Sequence, residues 1–221
     1  MAPQGRTTTT IGEAAAVVAI CFGMFILGSL RAAATGFPAA EGTFSNASLL
    51  WLASTELALG GAALGFLSWR RFSVQTLVPR PTTYGSAWGV GLFLGAWFIS
   101  WVVVAPFLPG QPQQPINRMV LGSAPALPVV ALMAVVNETF EEVFLLGFLL
   151  RGLRSYGLSV ALGVSLLVRV LYHLYQGPIG ALSVFAVGLT FGLYYVCSLQ
   201  LWPPVLAHVL FDIAPFLLGE P

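Results

Sequence analysis

The sequence predicts an all-α protein, a polytopic transmembrane bundle of seven or eight helices that forms a single membrane domain. Of its 221 residues, 57% are hydrophobic and 8% are charged, whereas ordinary soluble domains have about 25% charged residues. The hydrophobic residues occur in long runs, and about 20 apolar residues in a helix cross a bilayer. The net charge is only +1 and no basic cluster is longer than two residues, which excludes nucleic acid as a partner.

Six apolar runs are predicted to form membrane helices. In chain order they cover 11–30, 47–69, 84–108, 157–174, 178–197 and 201–218. A further run, 122–150, would form a helix of about 43 Å, which exceeds the hydrocarbon core of about 30 Å. Pro125 and Pro128 lie early in this run and an acidic stretch follows Asn137. A break near Asn137 is therefore predicted.

The linkers are too short to hold another domain. Residues 1–120 are interpreted as N-terminal membrane helices, and residues 121–221 as the core region of the same membrane domain. All nine basic residues are arginines, and their positions at the ends of the spans predict a cytoplasmic N-terminus by the positive-inside rule. The side of the N-terminus has Arg6, Arg70, Arg71, Arg80, Arg151 and Arg154, against Arg31 and Arg118 on the other. The use of arginine as the only basic residue, with abundant Ala and Gly, is typical of a GC-rich bacterial genome. We therefore expect the protein in a bacterial inner membrane.

Three glutamates share one helix face within the run 122–150. Glu138, Glu141 and Glu142 occupy positions i, i+3 and i+4, which are neighbours on a helix surface. An ionisable group inside a membrane span costs several kcal/mol unless it is paired or hydrated, so each is a candidate for function. Three carboxylates this close do not all ionise at low cost, so one of them is expected to act as a general base.

Other polar groups occur in the apolar runs 157–174 and 201–218. The only two histidines, His173 and His208, lie in or beside apolar runs. Arg169 precedes His173 by four residues and Asp212 follows His208 by four, so each pair shares a helix face. Convergence of so many polar groups favours an active site over isolated interhelical hydrogen bonds. Glu56 stands alone in the second run and is interpreted as pairing with a neighbouring helix.

These residues resemble the CPBP family of CAAX proteases and bacteriocin-processing membrane enzymes, also called Abi. Its pattern is EExxxR, then FxxxH, then HxxxN or HxxxD, on successive membrane helices. The matching residues here are Glu141 and Glu142, then His173, then His208 with Asp212. The resemblance covers 129–216. It implies an intramembrane endopeptidase that cleaves a membrane-associated, prenylated or leader-bearing substrate.

The sequence departs from this pattern at two positions. Leu146 stands where the motif has arginine, and Arg169 replaces the aromatic residue of the second motif. An arginine at 146 would lie one turn from Glu142, and Arg169 lies one turn from His173. We therefore predict that Arg169 supplies the missing charge to the glutamates from the neighbouring helix. If it does not, a degenerate, inactive member becomes the better interpretation.

The resemblance also implies a role for each residue. Glu141 would activate water together with His173, Glu142 would orient the site and balance charge, and His208 with Asp212 would bind the oxyanion. No metal is required in this mechanism. Zinc is an alternative, because two histidines and a carboxylate form a sufficient ligand set, although the HExxH motif is absent.

Two non-enzymatic functions are alternatives. A catalytically degenerate member would serve as a membrane scaffold or immunity-type binding protein. A small transporter would relay protons through the same groups, and it predicts an internal repeat that is not evident here.

For the enzyme, one geometric condition follows. In an unbroken seven-span bundle Glu141 and His173 would lie at different depths, so a break or strong offset near Asn137 is required.

Overall fold

The computed structural model describes residues 6–36, 44–121 and 124–218, and these ranges contain eight α-helices and no β-sheet. In chain order the helices are α1 (Ile11–Ala34), α2 (Asn46–Trp69), α3 (Thr83–Val104), α4 (Pro115–Leu121), α5 (Leu127–Glu142), α6 (Leu158–His173), α7 (Pro178–Ser198) and α8 (Trp202–Leu218). The predicted all-α bundle is confirmed. Five helical segments are long and apolar enough to cross a membrane, so the chain is a multi-pass integral membrane protein.

The outer surface of the bundle is apolar, as a lipid environment requires. Large side chains such as Trp51, Leu57 and Trp97 are about 60% exposed. Helix α3 buries the smallest share of its length within the bundle, so most of its surface is available to lipid. Lipid hydrocarbon chains cover such surfaces as favourably as other apolar side chains do. Contacts between helices therefore depend on close packing and on polar groups.

Polar side chains connect the helices in several places. Ser165 on α6 donates a hydrogen bond to the carbonyl oxygen of Leu145 at 3.0 Å. Ser29 on α1 accepts one from the backbone N–H of Tyr175 at 2.8 Å. Interhelical hydrogen bonds of this kind contribute about 1 kcal/mol each in membrane bundles. They hold α1 and α6 at fixed positions relative to α5.

Helix α5 is continuous through Asn137, so the predicted break is wrong. The helix begins at Leu127, and Pro128 lies in its first turn, where the missing N–H has no intrahelical partner to lose. Nothing after that turn interrupts the backbone. The helix instead changes to π geometry over Val143–Leu150, directly after Glu142. Such π segments are rare, and a large share of those that are known lie at functional sites.

The polar residues of α5 and α6 meet without a break because the two helices are antiparallel and share one short turn, Leu153–Tyr156. Glu142 precedes this turn by 11 residues and Arg169 follows it by 13, so the two residues lie at similar depth. His173 is one turn further along α6. The depth mismatch expected from the sequence therefore does not arise.

The N-terminal segment is fixed at one end of the bundle by Glu13, which is 4% exposed. Glu13 forms a capping box with Thr10 at the start of α1. It accepts a hydrogen bond from Arg70 Nε at 2.8 Å and also pairs with Arg6. The neighbouring Thr9 N–H donates to the carbonyl oxygen of Gly152 at 3.0 Å. One carboxylate thus ties the start of α1 to the end of α2.

Replacement of Glu13 by alanine is expected to lower the melting temperature in detergent. Loss of the cap costs about 1 kcal/mol, which corresponds to roughly 2–4 °C at this chain length, and loss of the ion pairs adds to it. Glu13→Gln is the control, because glutamine also serves in a capping box; it should lose less. An unchanged melting temperature in Glu13→Ala would contradict this account of the N-terminal segment.

Candidate active site

Polar side chains of α5, α6 and α8 surround a cavity of about 200 Å³ inside the bundle. Glu138, Glu141, His173 and Asp212 line it, and the remaining walls are largely aromatic and aliphatic. The two glutamates face the cavity together because they are three residues apart on α5. Both are buried, at 0% and 4% exposed. The cavity therefore combines carboxyl groups with largely apolar walls.

A buried ion pair between Arg169 and Glu142 lies behind the cavity wall. Arg169 Nη2 donates to both carboxylate oxygens of Glu142, at 2.7 and 2.8 Å. Its Nη1 lies 3.6 Å from Glu141 Oε2. Arg169 is 1% exposed and Glu142 is 0% exposed. The contact that the sequence predicts for Arg169 is thus present, and its importance for activity stays a prediction.

Helix α7 makes room for this arginine with a glycine. A Cβ atom at Gly188 would lie 2.6 Å from Arg169 Cδ, which is too close for any side chain. Leu146, at the motif position for arginine, is 1% exposed and belongs to the apolar core. The structure therefore has the cation on α6, with space provided by α7, and an aliphatic side chain at 146.

His208 on α8 contacts the glutamates of α5. Its Nδ1 lies 2.7 Å from Glu142 Oε1 and also pairs with Glu138. Carboxylate oxygens accept hydrogen bonds, so this nitrogen carries the proton. The ring of Phe191 packs against the imidazole with centroids 5.6 Å apart. His208 is not part of the cavity lining, so it supports the glutamates from behind.

His173 faces the cavity with one ring nitrogen. Its Nδ1 lies 2.9 Å from the carbonyl oxygen of Arg169, which can only accept, so Nδ1 carries the proton. In the neutral ring Nε2 is then an acceptor, and it lies 3.9 Å from Glu141 Oε1. The Tyr172 ring packs on the imidazole at 4.3 Å and fixes its plane. Two acceptors thus face one space where a water can contact both.

Asp212 and Glu138 form a second carboxyl pair at the cavity. Both side chains line it. Two carboxylate charges in one low-dielectric cavity repel each other, so a proton shared between them is the less costly state. A pair in that state would present an acidic proton to the cavity.

Sequence reasoning missed Asn137 and Tyr172 as members of the site. Asn137 Nδ2 donates to Glu138 Oε1 at 2.7 Å and to Glu141 Oε1 at 3.4 Å. Its position at i−4 to Glu141 was the available signal, but the polar residue was interpreted as a helix break. Tyr172 next to His173 gave no signal, because an aromatic residue in an apolar run is usually a packing residue.

A metal ion fits this site poorly. Four side chains offer ligand atoms within 4.8 Å of one another, namely Glu138, Glu141, Glu142 and His208. Both oxygens of Glu142, however, already accept hydrogen bonds from Arg169, and His208 Nδ1 is engaged with carboxylates. A guanidinium group stays charged at all relevant pH values and would repel a divalent cation placed beside it.

Comparison with protein families gives one match. Residues 123–214 match the family described as type II CAAX prenyl endopeptidase Rce1-like. No curated protein and no solved structure matches the chain. The matched segment contains all the polar residues described above for α5, α6 and α8. The resemblance seen in the sequence is confirmed over this segment, which is similar to the CAAX-type membrane endopeptidases of the CPBP family.

Proposed function

We propose that the protein is an intramembrane endopeptidase of the glutamate type, which hydrolyses a peptide bond with a water activated by Glu141. One observation carries this proposal: Glu141 Oε1 and His173 Nε2 face the same enclosed cavity at 3.9 Å from each other. Peptide hydrolysis needs a water, a base for its proton and donors for the oxyanion. The cavity offers each of these groups.

In the proposed reaction, a water donates hydrogen bonds to Glu141 and to His173 Nε2. Glu141 takes one proton as the water oxygen attacks the carbonyl carbon, and a tetrahedral intermediate forms. The C–N bond then breaks, and the proton held by Glu141 passes to the leaving amine. The products are a carboxyl group and an amine, and Glu141 returns to its initial state. His173 accepts a hydrogen bond throughout and orients the water.

Arg169 and Glu142 are positioning residues in this proposal. The bidentate ion pair fixes Glu142, and Arg169 Nη1 lies 3.6 Å from Glu141 Oε2. Because Arg169 also offers its backbone carbonyl to His173 Nδ1, it sets the tautomer of that ring. One residue thereby orients both groups that contact the water.

We assign the oxyanion site to the carboxyl pair of Asp212 and Glu138. Asp212 lines the cavity, and the shared proton can be donated to a developing negative charge. His208, to which the resemblance assigns this role together with Asp212, uses its Nδ1 for Glu142 and Glu138. We propose that it stabilises the glutamates and does not contact the substrate.

The proposed substrate is a membrane-associated peptide or protein, of the prenylated CAAX or leader-bearing kind that family members process. We place the enzyme in a bacterial inner membrane with its N-terminus in the cytoplasm. Arg6 and Arg70 meet at Glu13, and Arg80 and Arg151 line a common surface pocket, so arginines gather at one end of the bundle. This distribution supports the orientation by the positive-inside rule.

The degenerate alternative loses its main argument. It rests on the missing motif arginine, which would leave buried glutamates without a counter-charge. Arg169 provides that counter-charge to Glu142 from α6. A scaffold or immunity-type protein would have no need to keep a guanidinium, two imidazoles and several carboxyl groups around one buried cavity at the cost of several kcal/mol per charge.

Glu141→Gln and His173→Ala are expected to abolish cleavage while the protein stays folded. Removal of a general base lowers the rate about 100-fold or more, whereas neither change creates an unpaired charge. The measurement is mass-spectrometric detection of cleavage of a farnesylated CAAX peptide and of leader peptides by the protein in lipid vesicles. Ser54→Ala, an exposed residue on α2, is the control. Full activity of Glu141→Gln would disprove the assignment of the base.

Arg169→Leu is expected to inactivate the enzyme and to destabilise it by about 3–5 kcal/mol, because a buried carboxylate loses its partner. Arg169→Lys keeps the charge without the bidentate geometry and should be intermediate. The double variant Arg169→Phe with Leu146→Arg restores the family pattern and should recover part of the activity. Melting temperature and cleavage rate are measured on all three. A silent Arg169→Leu would show that the arginine has no role in the site.

Chelators should leave cleavage within about 2-fold of the untreated rate, because the guanidinium beside the glutamates opposes metal binding. The purified protein is treated with EDTA or 1,10-phenanthroline and assayed in vesicles. Activity that disappears on chelation and returns with added Zn²⁺ would replace the proposed mechanism by a metal-dependent one.

A further inference from the structure

Helix α2 carries one acidic residue, Glu56, in a buried stripe whose other residues are apolar or small. The stripe faces α5 at the spacing expected of packed helices and consists of Leu49, Ala53, Glu56, Gly60, Ala63 and Leu67. Glu56 is 3% exposed, and its neighbours along the stripe, Ala53 and Gly60, have small side chains or none. It lies outside the segment 123–214 that matches the family. Neither the motif pattern nor the proposed reaction assigns it a function.

The pairing predicted for Glu56 from the sequence is not found. Its Oε2 is buried without a hydrogen-bond partner, and within the described ranges no arginine or histidine forms an ion pair with it. Two other acids, Glu141 and Asp212, line the same cavity as Glu56. A lone carboxylate here would be repelled and desolvated, so the group is held as a neutral acid.

Glu56 stands where two spaces meet. It lines the catalytic cavity, and it also lines a groove of about 630 Å³ on the lipid-facing side of α2 and α5. Aliphatic side chains dominate that groove, among them Leu57 and Val135, which are 65% and 52% exposed. Phe140 also lines both spaces, but it has no polar atom. Glu56 is thus the one polar side chain shared by the linings of the two spaces.

A neutral carboxyl group suits one kind of ligand at this position. It presents an O–H donor and a carbonyl acceptor side by side. A peptide group presents a C=O acceptor and an N–H donor, and leaving either unpaired in apolar surroundings costs several kcal/mol. A substrate chain that reaches the cavity past the groove needs such a partner for its main chain, and the aliphatic side chains that make up most of the groove offer none.

We propose that Glu56 is a substrate-binding residue whose carboxyl group hydrogen-bonds a main-chain peptide group of the substrate next to the scissile bond. The unpaired Oε2 is the atom available for this contact. The proposal rests on the proposed peptidase function, and it adds a recognition site on α2 to the catalytic groups on α5, α6 and α8. Its ligand is the backbone, so the contact is independent of the side chains in the substrate.

The test compares Glu56→Met, Glu56→Leu and Glu56→Gln with the wild type and with the control Ser54→Ala. The probe is a fluorogenic farnesylated CAAX peptide in proteoliposomes, from which KM and kcat are obtained separately. Binding of the uncleaved peptide is measured in the Glu141→Gln background with and without Glu56→Met. Melting temperatures in detergent are recorded for every variant.

Glu56→Met and Glu56→Leu are expected to raise KM, and Kd in the Glu141→Gln background, about 10-fold, with kcat changed by less than about 3-fold. Glu56→Gln keeps a donor and an acceptor and should retain most of the affinity. The apolar variants should melt at a higher temperature than the wild type, because a buried unpaired acid is replaced by a packed side chain. Weaker binding together with higher stability is a result that a structural role does not produce.

Three results would overturn the proposal. KM and Kd within 2-fold of wild type in the apolar variants would show that the substrate does not contact Glu56. Equal losses in Glu56→Gln and Glu56→Met would indicate an ionised carboxylate that binds a cationic group. Misfolding of both apolar variants would assign the acid to folding. Cleavage by the wild type that depends on Glu141 would leave the peptidase function intact in each of these cases.

Discussion

The ion pair between Arg169 and Glu142 is the interaction on which the rest of the site depends. Both side chains are almost fully buried, and the guanidinium contacts both oxygens of the carboxylate. Moving two such charges out of water costs several kcal/mol each, and only close geometry with additional hydrogen bonds offsets that cost. His208 supplies one of those additional bonds to Glu142. Three helices are therefore held together at a single point.

The same pair orders the cavity around it. Arg169 touches Glu142 with its side chain, approaches Glu141 with its second terminal nitrogen and receives a hydrogen bond from His173 at its backbone. Gly188 on α7 leaves the space that the arginine occupies. The neighbouring acids differ in their surroundings: Glu142 is matched by the guanidinium of Arg169, whereas Glu138 and Asp212 line the cavity and have no arginine partner within the described ranges. Carboxyl groups of one kind are thereby suited to different tasks.

The sequence was sufficient to predict the fold class, the long apolar helices and the meeting of Arg169 with a glutamate, but not the short helix α4. Those predictions rest on helix periodicity, which depends on residues close together in the chain, and on the cost of burying a charge, which is counted residue by residue. It was not sufficient for Asn137, which was read as a helix break because its partners on α5 were unknown. Glu56 was expected to pair with another helix, since a sequence does not reveal whether a buried acid has a partner. Both errors concern which polar groups meet across helices, and that depends on packing.

The π segment Val143–Leu150 separates the two halves of one long helix. In a continuous α-helix the angular position of every residue about the axis is fixed by its neighbours. If such a helix rotated to direct its glutamates toward α6 and α8, the half that follows would rotate by the same angle. Hydrogen bonds from i to i+5 add a residue to the turn and release this constraint. Residue 146, four positions after Glu142, then lies at a different angle about the axis from that glutamate than it would in α geometry. The acidic face and the packing face of this helix can therefore change independently, and a charge lost from one helix can be replaced from another without moving the carboxylates.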